Sequence, residues 1–224
     1  MMEDLMPFPN FSISPAYEAR YPGVAFGLTL ITNCQNLPNA PVFDQFKRKL
    51  LRKMRRRETL AQISKRIDIY DKFFKDFGYE CPLPKHLKRT IYSGFPRYNL
   101  MVDAHLMAEM CAGILVAVTD YDRFDGSLTL DLAAEAEICI GMGGRDVKTK
   151  QGEIVLRDER EIVCVLCQCA DEKTRVREET RNVLFYAYAV PGIEGLYIKE
   201  GLTIAGDIMT QFGRGTVDFL EIYA

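Results

Sequence analysis

Histidine is scarce in this sequence of 224 residues: His86 and His105 are the only two. They do not stand four residues apart around a glutamate, so His-Glu-x-x-His zinc hydrolysis is excluded. A Gly-x-Ser-x-Gly elbow is also missing, and with it the usual nucleophile of the α/β-hydrolases. No apolar run approaches the roughly 18–20 residues that cross a bilayer, so no membrane partner is expected. Net charge is close to zero, with 29 Lys+Arg against 31 Asp+Glu. That balance neither requires nor forbids nucleic acid; the distribution of charge has to decide. The opening residues, "MMEDLMPFPNFSISP", are acidic and interrupted by prolines. They read as neither a secretory signal nor a transit peptide, which predicts a cytoplasmic protein with reduced thiols.

The seven cysteines are odd in number, which argues against a closed disulfide framework. Three of them crowd into "CVLCQC", at Cys164, Cys167 and Cys169. The spacing predicts one core strand through "EIVCVLCQC", with Val163, Val165, Cys167 and Cys169 on one face and Cys164 on the other. Sulfurs on opposite faces do not converge as a structural zinc site needs, and Cys34, Cys81, Cys111 and Cys139 stand singly. Buried structural thiols are therefore expected, with no metal and no cofactor. "GMGGRD" is followed by a turn and a strand rather than by a helix, so it reads as a Gly-rich hairpin and not a phosphate cradle. "DYDRFDG" has the wrong acid spacing for a calcium loop and reads as a solvated turn.

What is present is a change of period along the chain. "GVAFGLTLIT" is an apolar, β-prone run. From Val42, apolar residues recur at helical spacing: Phe46, Leu50 and Met54, then Leu60, Ile63, Ile67 and Tyr70, with Gly78 at a C-terminal stop. "PKHLKRTIYSG" and "NLMVDAHLMAEMCAG" read as further helices, the latter with Asn99 as cap and Gly113 as terminator. Short strands follow in "ILVAV", "LTLDL", "EICIGM", "EIVLRD" and "NVLFYAYAV". A late helix in "GLTIAGDIMTQFG" and a last strand in "TVDFLEIYA" close the chain. Helices first and strands after them predict an α+β fold.

Charge is concentrated in "FKRKLLRKMRRRE", with eight basic residues from Lys47 to Arg57. Such a run is either a solvated helix face or a contact for a phosphate backbone through Lys47, Arg48, Arg52, Arg55 and Arg56.

One block carries more than pattern. "RYNLMVDAHLMAEMCAGILVAVTDYDRFDG", followed by "GEIVLRDEREIVCVLCQCADEKTRVREETRNVLF", resembles the B3/B4 domain of the phenylalanyl-tRNA synthetase beta subunit. The resemblance rests on Asn99 with Val102-Asp103, the Asp120-to-Gly126 turn, Gly152-Glu153-Ile154 with Asp158, and Val176 with Glu179-Thr180 and Asn182. It covers about residues 97–192, and the helices before it look like those of freestanding members. No aminoacylation domain fits in 224 residues. The resemblance implies a single domain over residues 16–224 after an N-terminal arm over 1–15, with helices packed on a mixed sheet or barrel-like core. It also implies a pocket that inspects an aminoacyl ester on a tRNA 3′ end and hydrolyses the wrong one with an oriented water.

Carried over by that resemblance, Glu172 falls where the family keeps a glutamate that reads the tyrosine hydroxyl. His105 falls at a pocket threonine, Leu106 at an asparagine, and Ala117 at the bacterial pocket histidine. His105 is expected to stand in as the water-orienting base, walling one cleft with Glu172. Asn99, Asp103, Thr119, Asp120 and Thr174 are carried over as substrate contacts. Capping helices and pinning turns is the other reading of such positions, and of Thr180 and Asn182. The alternatives at the level of function are a non-catalytic RNA- or protein-binding module of the same fold, and a binder of a free amino acid. Nothing in the sequence fixes an oligomeric state.

Overall fold

The computed structural model describes residues 10–38 and 40–224, so most of the arm expected over 1–15 lies outside the described residues. Among the described residues there are six α-helices and eleven strands in mixed sheets, an α+β fold as expected. The chain divides into two compact units, each assembled from two stretches of sequence.

The first unit takes the residues up to Pro22 together with Arg123–Thr174. Its strands are β1 (Phe11–Ile13), β4 (Leu128–Leu132), β5 (Ile138–Gly141), β6 (Arg145–Lys148), β7 (Ile154–Arg157), β8 (Ile162–Val165) and β9 (Cys169–Ala170), with one short helix, α1 (Pro15–Arg20). Five strands run in the order β1-β4-β7-β8-β9, and β5 pairs with β6 in a separate hairpin. β1 lies parallel to β4, so the arm is a strand from Phe11 onward. "GMGGRD" is the hairpin turn between β5 and β6: Gly143 and Gly144 take positive φ, and Gly144 N–H donates to Gly141 O at 2.9 Å. Ala133, Cys139, Val155, Ile162 and Val165 form the core, with Val147 and Cys169 packed on it.

The strand expected through "EIVCVLCQC" is interrupted. β8 stops at Val165, the chain reverses over Leu166–Gln168, and β9 returns antiparallel with Val165 opposite Cys169 and Cys164 opposite Ala170. Gln168 N–H donates to Val165 O at 2.9 Å, and the Gln168 side chain donates to Lys148 O and to Glu153 Oε2. Backbone and side-chain hydrogen bonds make this reversal without glycine or proline, so no turn residue announced it. All seven cysteines are free thiols, and five of them are buried.

The second unit takes Gly23–Asp122 and Arg175–Ala224. Its four-stranded antiparallel sheet runs β11 (Thr216–Tyr223), β2 (Phe26–Thr32), β10 (Val183–Tyr188) and β3 (Leu115–Asp120). β2 and β10 are buried at every position, which is why they read as near-continuous apolar runs. The helices are α2 (Pro41–Met54), α3 (Arg57–Asp76), α4 (Pro82–Ser93), α5 (Leu100–Ala112) and α6 (Gly195–Gly213). α6 begins before the expected Gly201 because Ile198 extends its buried stripe of Leu202, Ala205, Ile208 and Met209. It packs on β2 at Gly27, where a Cβ would lie 2.7 Å from both Ile198 and Leu202. α5 is buried on nearly all sides, as a helix apolar all round must be. Asn99 caps it by accepting from Val102 N–H at 3.0 Å, and Gly113 ends it at φ +66.

Candidate functional site

α5 fixes most of what is chemically notable in the second unit. Asp103, in its first turn, is buried and meets Lys47 of α2, with Nζ to Oδ2 at 2.5 Å. The other carboxylate oxygen accepts from Tyr98 N–H at 3.0 Å, and Lys47 also donates to Pro96 O at 2.8 Å. Lys47, expected on an RNA face, is thus buried among protein partners, because helical spacing puts it on the same side as Phe43 and Met54. Asp103, expected to touch substrate, is the carboxylate that neutralises it. Arg48, Arg52, Arg55 and Arg56 are exposed. Of these, Arg55 donates to Ile91 O at the end of α4.

One turn further along α5, His105 and Glu109 share a face. His105 Nε2 lies 3.5 Å from Glu109 Oε1, and Val116 N–H approaches the same oxygen at 3.4 Å. From α4, His86 Nδ1 lies 3.5 Å from Glu109 Oε2. The chain's two histidines therefore converge on one carboxylate whose side chain is only 4% exposed. Burial pushes the Glu109 carboxyl up, but the two imidazoles outweigh it and hold the group below the ordinary carboxylate range. Between α4 and α5 opens a cavity of about 160 Å³, lined by His86, Arg89, Tyr98, Leu106 and Met110 among others. His86 and Glu109 were missed in the sequence. His105 and Glu109 at i and i+4 were the available signal; nothing announced that a helix nineteen residues upstream would deliver the second imidazole.

The remaining expected residues of this unit tie β3 to β10. Asp120 accepts from the Thr180 hydroxyl at 2.7 Å, and Thr119 donates to Leu184 O at 3.3 Å. Asn182 donates to Asp122 at 2.9 Å and accepts from Asn33 N–H at 3.1 Å. These contacts pin strand ends, as Asn99 caps a helix.

In the first unit, Glu172 lies two residues past the end of β9. Its N–H donates to Ile140 O at 2.9 Å and its Oε2 accepts from Gly143 N–H at 2.8 Å, so the Gly-rich hairpin orients it. Thr174 is fully buried, and its N–H and hydroxyl both meet the Asp171 carboxylate, which closes a local turn. Beside Glu172, Lys173 Nζ sits among Asp158 at 2.6 Å, Glu161 at 2.8 Å and Asp125 at 3.0 Å. Those three carboxylates are the group that comes within reach of a common cation among the described residues, and an ammonium already occupies their centre. Burial raises the Asp158 carboxyl, but Lys173 and three backbone N–H groups bring it below its ordinary value. His105 and Glu172, expected to act together, lie in different compact units.

Residues 68–221 match the family model described as the B3/4 domain, which is more than half of the chain. The chain belongs to the B3/4 domain family. Over 87 residues it is 26% identical to the phenylalanine–tRNA ligase beta subunit of Mycoplasma pneumoniae, covering 39% of this chain and 11% of that protein. Among solved structures, its fold is similar to an N-terminal fragment of the phenylalanyl-tRNA synthetase beta subunit from Pyrococcus horikoshii. That match has a TM-score of 0.51 at 11% identity over 97% of this chain and 55% of the fragment. The B3/4 protein thus spans about a tenth of the curated relative and about half of the fragment, and is a synthetase-related module. None of its helices in the described residues is long and apolar enough to cross a membrane.

Proposed function

We propose that this B3/4 protein binds the aminoacylated 3′ end of a tRNA and hydrolyses the ester of a wrongly attached amino acid. His105, braced against Glu109, positions the groups that meet the ester. The observation that carries this reading lies inside the family-matched span: one imidazole nitrogen of His105 rests against a buried carboxylate, Glu109. A carboxylate in that place fixes the ring's orientation, and the ring in turn braces the carboxylate against whatever else it meets. Leu106, at the position the family resemblance gives to a pocket asparagine, lines the adjoining cavity. Arg48, Arg52 and Arg56 on α2 offer exposed cations for a weak, salt-dependent phosphate contact. This role places the protein in the cytoplasm, beside translation.

A panel of aminoacyl-tRNAs incubated with the protein tests the proposal. Release of at least one amino acid well above the buffer rate is expected. His105→Ala should lower that rate. Release no faster than buffer for every pair, at high protein concentration, would remove the hydrolytic activity. Ala117, in place of the family's pocket histidine, favours a second reading as a non-catalytic RNA-binding module. Binding that weakens steeply with salt and leaves every ester intact would establish that reading instead.

A further inference from the structure

His86 is given no role above, yet it shares Glu109 with His105. Glu109 Oε2 and His86 Nδ1 are both buried, 3.5 Å apart, and neither has a hydrogen-bond partner among the described residues. A buried carboxylate oxygen left in that state is costly, and a proton between the pair would relieve it. An ionised carboxylate only accepts, so the proton belongs on Nδ1 of His86. The opposite nitrogen, Nε2, is then bare. Because Nδ1 is buried while the side chain is 38% exposed, the open edge of the ring is the Nε2 edge. The same ring lines the cavity between α4 and α5, beside Arg89 and Tyr98. His105 occupies the other oxygen of Glu109, and its own Nδ1 is buried without a partner. The two rings and the carboxylate do not close on a point within common reach of a metal ion among the described residues.

We propose that His86 is a catalytic base facing the α4–α5 cavity and that Glu109 is its positioning residue. The dyad serves the ester hydrolysis proposed above and rests on that reading for its substrate. As the oxygen of a water bonds to the ester carbonyl carbon, one of its protons passes to His86 Nε2. When the tetrahedral intermediate collapses, the bond from that carbon to the ribose 3′ oxygen breaks. The imidazolium returns the proton to this oxygen. The products are the free amino acid and the tRNA hydroxyl, with the protein unchanged.

Two imidazoles in the whole chain make the test direct, because nitrogen-15 NMR resolves each ring's tautomer. His86 is expected as the Nδ1–H form, the minor one for free histidine, and Glu109→Gln should return it to the ordinary preference. This readout needs no substrate. In single-turnover deacylation, His86→Gln should slow release about 100-fold with unchanged aminoacyl-tRNA binding. His86 is half-exposed, so that variant keeps the test available if Glu109→Gln fails to fold. An Nε2–H tautomer in the wild-type protein, or wild-type release by His86→Gln, would overturn the assignment. The expected tautomer together with no release by the wild-type protein would support the dyad and overturn the hydrolysis instead.

Discussion

At the scale of single residues, burial separates side chains that look alike in the sequence. Lys47 stands in a run of eight cations, and nothing in its neighbours marks it as different. Its helical phase does: it shares a face with Phe43 and Met54, while Arg48 and Arg52 point outward. The partner, Asp103, lies fifty-six residues further on and was not legible from either side. With side-chain exposures of 6% and 0%, the pair is out of water, and removing one charge strands the other. Asp103→Asn should therefore cost about 3–5 kcal/mol in urea unfolding. The double change to Met at 47 and Leu at 103 should recover most of that loss. A cost within about 0.5 kcal/mol for Asp103→Asn would mean that the ammonium finds water.

At the scale of elements, periodicity made the helices and most strands readable because one face of each meets the core. Asn99 and Gly113 bounded α5 as their chemistry requires, and "GMGGRD" turned as its glycines allow. The reversal after Val165 was not readable, since alternation of Val, Cys and Leu fits an extended strand and a tight return equally. Half of the site was legible in the same sense. His105 was a candidate by resemblance, while His86 joined Glu109 only through packing of α4 on α5. The approach of α6 to the sheet shows how finely such packing is set. Gly27→Ala places a methyl 2.7 Å from Ile198 and Leu202, closer than side chains tolerate. A loss of about 1–3 kcal/mol is expected by thermal or urea unfolding, and a variant as stable as the parent would show that α6 can slide.

At the scale of the whole molecule, both compact units are discontinuous in sequence, so neither can be isolated by cutting the chain once. The sheet of the second unit shows what this entails. β2 pairs on one side with β10, Ile31 opposite Val183, and on the other with β11, Thr32 opposite Thr216. A chain lacking residues 215–224 leaves one edge of a fully buried apolar strand open. That truncation is expected to give aggregated protein with no cooperative melt; a soluble product melting within a few degrees of the full chain would contradict it. The same arrangement sets an order of events during synthesis. β2 precedes both of its partners in the sequence, so one edge waits for residues 183–188 and the other for residues 216–223. Nascent chains of this protein are therefore open to misassociation at each edge until its partner has been made, and their yield in a cell should depend on chaperone supply.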